Sequence, residues 1–121
     1  MPRGRETMPR ETLGHFEQLV LLAILHLTSA GEDEVYGVPI VGEIERRTGR
    51  PASRVAVYVA LRRLEQRDLV STWMGDPVAE RGGKSRRCVE VTRLGLRALR
   101  ESRRELDGMW RGLDPQLGKN R

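Results

Sequence analysis

Nine consecutive residues, "LVLLAILHL" at 19–27, are apolar except for His26. They sit inside a stretch, about 14–29, whose pattern is helical. Leu19, Val20, Leu21, Leu22, Ala23, Ile24, Leu25 and Leu27 then point in every direction around one axis. A helix that is apolar all round has to be covered on two faces. It is too short for a bilayer, which takes about 20 such residues. A chain of 121 residues, 38% hydrophobic, is one small domain with a modest core. The expectation is that this core covers one face of the helix and that a second copy of the chain covers the other.

The remaining segments follow from local patterning. Residues 1–12, "MPRGRETMPRET", repeat "MPR" and "RET", hold two prolines and mixed charges, and read as a flexible arm. "AGEDE" (30–34) is a loop. A second helix opens at about Gly37, with Pro39 in its first turn, where the missing N–H is harmless. Its inward stripe is Ile40, Val41 and Ile44, and Gly49 supplies the stop. "RPAS" (50–53) is a tight turn that ends on Ser53, a good N-cap. The third helix follows, with Val57, Leu61 and Leu64 inward and Arg54, Tyr58, Arg62 and Arg63 on its other sides. Two helices joined by a short turn, the second basic on its outer face, make a helix-turn-helix.

Strand signals come next. "LVSTWM" (69–74) and "RRCVEVT" (86–92) flank a glycine-rich charged loop, and in the second strand Arg87, Val89 and Val91 alternate against Arg86, Cys88 and Glu90. A hairpin directly after a helix-turn-helix is a wing. A last helix, about 92–113, carries Leu99, Leu106, Met109 and Leu113 on a 7-3-4 rhythm with Ser102 in the same seam, a short coiled-coil-like stripe. The expected fold class is mainly α with a small β-hairpin: a winged helix-turn-helix with N- and C-terminal dimerisation helices. The expected divisions are an arm (1–12), the winged domain (13–92), the C-terminal dimerisation helix (93–114) and a flexible tail (115–121).

Composition limits the function classes. Twenty-two basic against seventeen acidic residues give a net charge of +5, which suits nucleic acid without demanding it. One cysteine excludes an internal disulfide framework and fits a reducing compartment. No leader with a small-residue cleavage site is visible, so a soluble cytoplasmic protein is expected. His15 and His26 have no ligand-like spacing to Cys88, and no metal or other cofactor is expected. There is no Cys–His pair, nucleophile elbow, glycine-rich phosphate loop or paired-carboxylate pattern, so no catalytic residue is assigned and an enzyme is not expected.

The order and spacing of these residues resemble the PadR family of winged-helix transcriptional regulators, in its form with one short C-terminal helix. The matching residues are Tyr36, Gly37 and Ile40; then Ser53, Tyr58, Leu61, Arg63, Leu64, Glu65, Leu69 and Val70; then Thr92, Gly95 and Leu99. They cover roughly residues 14–112. The chain departs from the family pattern at Arg54-Val55-Ala56, where Pro-Gly-Thr is usual. It departs again at Cys88-Val89, where aromatic residues are usual, and at Asp68, where glycine is common. The resemblance implies a homodimer that represses transcription with recognition helices in the major groove of a palindromic operator. It also implies relief by a small aromatic or cationic effector.

The candidate DNA contacts are therefore Ser53, Arg54, Ala56, Tyr58, Arg62 and Arg63 on the third helix, with Lys84, Arg86 and Arg87 on the wing. The candidate dimer contacts are Phe16, Leu19 and Val20 on the first helix and Leu99, Leu106, Met109, Trp110 and Leu113 on the last. An effector would stack on Trp110 or Trp73, the planar groups nearest the seam and the wing. Each has a plainer role beside it. The arginines can be a solvated helix face, Ser53 only a cap, Tyr58 and Trp73 packing between helix and wing, Trp110 an anchor at the end of the seam, and Cys88 a small strand residue. The alternative function is a winged-helix adaptor that binds protein or RNA without operator specificity.

Overall fold

The computed structural model describes residues 12–76 and 86–113. Lys84, most of the N-terminal arm and the tail lie outside the described residues. The elements are α1 (His15–Ser29), α2 (Gly37–Thr48), α3 (Arg54–Gln66), β1 (Val70–Met74), β2 (Arg87–Val91) and α4 (Arg93–Trp110).

The α1 helix begins after Gly14, whose N–H donates to Glu17 Oε1 at 3.1 Å. It is then enclosed on several sides by α2, α3 and β2, with α4 crossing it near one end. Val20, Leu21, Ala23 and Ile24 are all buried, and Phe16, Leu19 and Leu27 pack partly against the same core. The chain's own core thus covers the face of α1 that carries Val20, Leu21, Ala23 and Ile24, with β2 among the elements packed on it. Val20 is fully enclosed, which removes it from the candidate dimer contacts; Leu22 is the large apolar residue of α1 left substantially exposed. The core is completed by Ile40 and Ile44 from α2, Val57, Ala60 and Leu64 from α3, and Leu69, Val70 and Val89 from the wing. Each fully buried aliphatic side chain contributes about 1.5–3 kcal/mol by leaving water. Ala60 occupies the core position expected of Leu61, which is only half-buried.

Helix boundaries follow their local chemistry. Gly49 takes φ +73 at the end of α2, a left-handed position where a Cβ is unfavourable. Ser53 caps α3, its hydroxyl accepting from the Ala56 N–H at 3.2 Å. Glu43, buried within α2, accepts from the Arg46 and Arg47 guanidinium groups. The Arg47 hydrogen bond holds its carboxyl below the usual range, against the opposing effect of burial, with the charges of Arg46, Arg47 and His26 assisting. A carboxyl with a depressed folded-state pKa stabilises the fold above the ordinary carboxylate range and ceases to do so as pH falls through the depressed value.

The wing is an antiparallel pair with Val70 opposite Val91, Thr72 opposite Val89 and Trp73 opposite Cys88. The strict alternation expected for β2 fails at its centre, where Cys88 and Val89 are both buried. The strand is flanked on its second edge: the Val89 N–H donates to the Val35 carbonyl at 2.8 Å. On the Cys88 side Gly75 and Glu34 close over the thiol, and a Cβ on Gly75 would fall 2.9 Å from Sγ. The position that alternation assigns to solvent is therefore covered by Gly75 and by the Glu34 side chain.

The last helix is anchored at a knot between the end of α3 and the start of α4. Asp68 follows α3 with φ +61, which explains why glycine is common there and why a short polar residue is tolerated. The Asp68 carbonyl accepts from the Thr92 hydroxyl at 2.7 Å, and that same oxygen caps α4 by accepting from the Gly95 N–H at 3.0 Å. The Thr92 N–H donates to the Leu69 carbonyl at 3.0 Å. Gly95 approaches so closely that a Cβ would lie 2.3 Å from the Leu69 oxygen. Beyond Leu99 and Ser102, α4 loses contact with the body; Leu106 is 52% and Met109 75% exposed. The helix ends at Trp110, and Gly112 at φ +89 turns the chain away. Leu113, expected on the helical seam, is corrected to a position in the turn after it, its N–H donating to the Trp110 carbonyl at 2.8 Å.

Two substitutions test this knot. Gly95→Ala has no room beside the Leu69 carbonyl and is expected to lower stability by about 1–3 kcal/mol, as overpacking does. Asp68→Gly removes a left-handed Cβ and is expected to raise stability by up to about 1 kcal/mol. Urea unfolding of both variants beside the wild type measures the two shifts; equal midpoints for all three would contradict a tight junction.

Candidate nucleic-acid interface

The geometry of α3 is decided by which residues it buries. With Val57, Ala60 and Leu64 inward, the 3.6-residue repeat turns Val55, Val59 and Arg62 directly away from the core. Val55 is 70% and Val59 43% exposed. The two valines were not among the sequence candidates; the signal for them was the inward stripe itself, whose opposite side they occupy. Arg54, Tyr58, Leu61 and Glu65 lie on the flank toward the wing. Ala56 and Arg63 lie on the other flank, where they line a hollow with Gly14, His15, Phe16 and Glu17 at the start of α1. The four residues expected to share one face, Arg54, Tyr58, Arg62 and Arg63, are therefore divided. The first three adjoin the wing or face outward, and Arg63 adjoins α1.

Tyr58 has both of the roles that its sequence position allowed. Its ring packs on Gly37, where an added Cβ would fall 2.5 Å from Cε1 and 3.0 Å from the hydroxyl, while the residue keeps nearly half its surface exposed. The glycine at the start of α2 and the tyrosine in the second turn of α3 are thus a matched pair, and their contact sets how closely the two helices of the helix-turn-helix approach. The connecting turn is held as well. The Ala52 N–H donates to Glu45 Oε2 at 2.9 Å, and the Thr48 hydroxyl donates to the Ile44 carbonyl at 2.7 Å. Arg50 lies exposed in that turn.

A groove between α3 and the wing is lined by Tyr58, Leu61, Arg62, Glu65, Thr72, Arg87 and Val89. Glu65 crosses its floor, accepting from the Thr72 hydroxyl at 2.9 Å and from the Arg87 guanidinium at 3.2 Å. One carboxylate therefore ties α3 to both wing strands. The Arg87 side chain remains 63% exposed and offers its outer edge to solvent. Arg86, its neighbour, is placed differently: it folds back over the Tyr36 ring, 4.3 Å from the centroid, with Glu34 Oε1 at 3.7 Å. Only one of the two wing arginines within the described residues projects its charge outward.

The remaining candidates are dispersed. Trp73 lies on the wing and Trp110 at the end of α4, both about half-exposed. Leu99 packs partly on the core, whereas Leu106, Met109 and Trp110 are left uncovered. Among the described residues no cluster of His, Cys, Asp or Glu could hold a metal ion, and no helix is long and apolar enough to cross a membrane.

Comparison with known proteins places this architecture. The sequence model of the transcriptional regulator PadR-like family matches residues 24–101. The crystal structure of a PadR family transcriptional regulator from Eggerthella lenta is similar over 85% of this chain and 87% of its own, at 27% identity and a TM-score of 0.59. A PadR-like transcriptional regulator from Bacillus cereus is similar over 88% and 93%, at 21% identity and a TM-score of 0.64. A transcriptional regulator from Clostridium thermocellum covers 82% and 89%, at 16% identity and a TM-score of 0.64. The last two are likenesses of fold. No curated protein matches the sequence.

The Gly37–Tyr58 contact generates a prediction of its own. Gly37→Ala alone is expected to destabilise the protein by about 1–3 kcal/mol. In a Tyr58→Ala background the same change is expected to be close to neutral, because the ring it strikes is gone. A double-mutant cycle by thermal or urea unfolding reads the coupling; additive effects would show that the two residues do not meet.

Proposed function

This chain belongs to the transcriptional regulator PadR-like family, and from that premise we propose that it is a repressor which binds a two-fold symmetric operator as a homodimer. The observation that carries the proposal is the exposed face of α3. It is backed by core, capped at its start by Ser53, flanked by a wing that Glu65 holds in place, and lined by arginines. A helix N-terminus of this kind favours phosphate, and the residues just inside it are the ones that reach base edges when such a helix enters the major groove. Arg54 and Arg62 are the proposed base-reading arginines, and Arg87 with Arg50 the proposed phosphate contacts. The net charge of +5 favours the same partner. No inducer enters the proposal.

Dimerisation is supported by the apolar end of α4. Leu106, Met109 and Trp110 stand clear of the body, a larger exposed apolar group than a small monomer of this charge needs. A second copy packing on this stripe, and on the half-exposed Phe16, Leu19 and Leu22 of α1, would cover it.

The expected outcome for the DNA-binding face is a division of labour. Arg54→Ala or Arg62→Ala should weaken binding to the preferred duplex by about 1–3 kcal/mol and relax specificity at one position. Arg87→Ala should weaken preferred and random duplexes about equally and reduce the salt slope by about one. Fluorescence anisotropy across a salt series measures both. A protein adaptor would show no preference among duplexes in the same assay, and a partner that binds RNA would prefer single strands.

For the dimer, Leu106→Glu combined with Met109→Glu places unpaired charge in the seam. Sedimentation velocity should then show monomers, and binding to a two-fold site should fall far more than binding to an isolated half-site. A double variant that sediments as the wild-type dimer would overturn the interface.

A further inference from the structure

The outermost strip of α3 is not what a solvated or purely electrostatic surface would carry. It runs Val55, Val59, Arg62, Gln66 at the i, i+4, i+7, i+11 spacing, directly opposite the buried Val57, Ala60 and Leu64. Valine is a weaker helix former than the lysine, glutamate or glutamine usual on an exposed helix face, because its branched Cβ is confined in a helix. At Val57 that disadvantage is offset by complete burial. Val55, at 70% exposure, has no such compensation within the chain, and Val59, at 43%, has it only in part. Both stand among cations: Arg54 precedes Val55, and Arg62 lies one turn beyond Tyr58 and Val59.

The partner that fits must be anionic at its rim and apolar at isolated points on its floor. Duplex DNA meets both conditions in its major groove, where the phosphates form the rim and the only apolar group on any base edge is the C5-methyl of thymine. We infer that Val55 and Val59 are specificity-determining residues that pack against thymine methyl groups, while Arg62 reads an adjoining base by hydrogen bonding. The inference rests on the proposed role of α3 as the recognition helix and goes beyond it by naming the base that the apolar strip selects. It assigns Val55, in the first turn and the more exposed of the two, the deeper of the two contacts. Val59, one turn further along and at the rim of the hollow toward α1, has the shallower one.

The test separates the methyl contact from DNA binding as such. A preferred duplex is first selected from a randomised pool with the full-length protein. Each thymine in it is then replaced singly by uracil, which keeps the pairing and both hydrogen-bonding edges and removes only the methyl group. Replacement beneath Val55 is expected to raise Kd about fourfold, the worth of one buried methyl, and replacement beneath Val59 to raise it by less. In Val55→Ala one of these sensitivities should vanish while the other persists, and Val59→Ala should show the reverse. Both substitutions sit at exposed helical positions and replace valine with a better helix former, so thermal unfolding should be unchanged or slightly later. A preferred duplex whose affinity is indifferent to uracil at every position overturns this inference and leaves the operator-binding role intact. So do sensitivities that survive in both alanine variants. A pool that yields no preferred duplex overturns the operator-binding role itself, and the inference with it.

Discussion

The Thr92 hydroxyl ties the end of α3 to the start of α4. It donates to the Asp68 carbonyl and accepts from the Gly95 N–H, while the Thr92 backbone N–H reaches the Leu69 carbonyl. Three elements end or begin within these few residues. α3 finishes just before Asp68, the wing starts and finishes at the Val70–Val91 pair, and the last helix starts at Arg93. A hairpin leaving and re-entering the body at one hydrogen-bonded point has a fixed base. The angle between α3 and the wing, and the direction in which α4 departs, both follow from that base. The left-handed backbone at Asp68 and the missing side chain at Gly95 are the local conditions for closing it.

Once the wing is returned in this way, the apolar surface is divided between inside and outside. β2 lies against α1, whose Val20, Leu21, Ala23 and Ile24 are buried, while Leu22 of the same helix stays exposed. The apolar residues left without cover are concentrated instead where α4 extends beyond the body, at Leu106, Met109 and Trp110.

Charge is arranged with a similar economy around the recognition helix. Glu65 pairs with Arg87, Glu34 with Arg86, and Glu43 with both Arg46 and Arg47. Each does so on the side facing the body: Glu65 between α3 and the wing, Glu34 beneath Arg86, Glu43 within α2. The more exposed of these pairs contribute little to stability, whereas the Glu43 carboxylate is buried. Their arrangement is positional: Arg86 is turned inward over Tyr36, while Arg54, Arg62 and the outer edge of Arg87 face solvent. A count of positive residues along the chain cannot make that distinction; only the positions of the acids can.

The linear pattern was sufficient for the elements and their order, because each depended on interactions within a few residues. Ser53 caps α3, Gly49 ends α2 and the apolar repeats of 37–48 and 54–66 choose the inward faces, all by local hydrogen bonding, backbone freedom or helical periodicity. The same holds for the family likeness, whose residues Gly37, Tyr58, Thr92 and Gly95 prove to be two close-packed contacts. What local pattern could not decide was anything that required knowing which segments meet. Cys88 is buried because Gly75 and Glu34 close over it, against the alternation of its own strand. Val20 belongs to the core because β2 returns onto α1. Arg86 turns inward because Tyr36 and Glu34 lie beside it, and Leu113 leaves the seam because the helix has already ended at Trp110 with Arg111 extended. In the recognition helix the periodicity determined which side is buried, but the clustering of Arg63 with α1 and of Tyr58 and Arg62 with the wing was settled by tertiary packing. Side chains about 100° apart on a helix face different neighbours, and sequence alone does not say which neighbours those are.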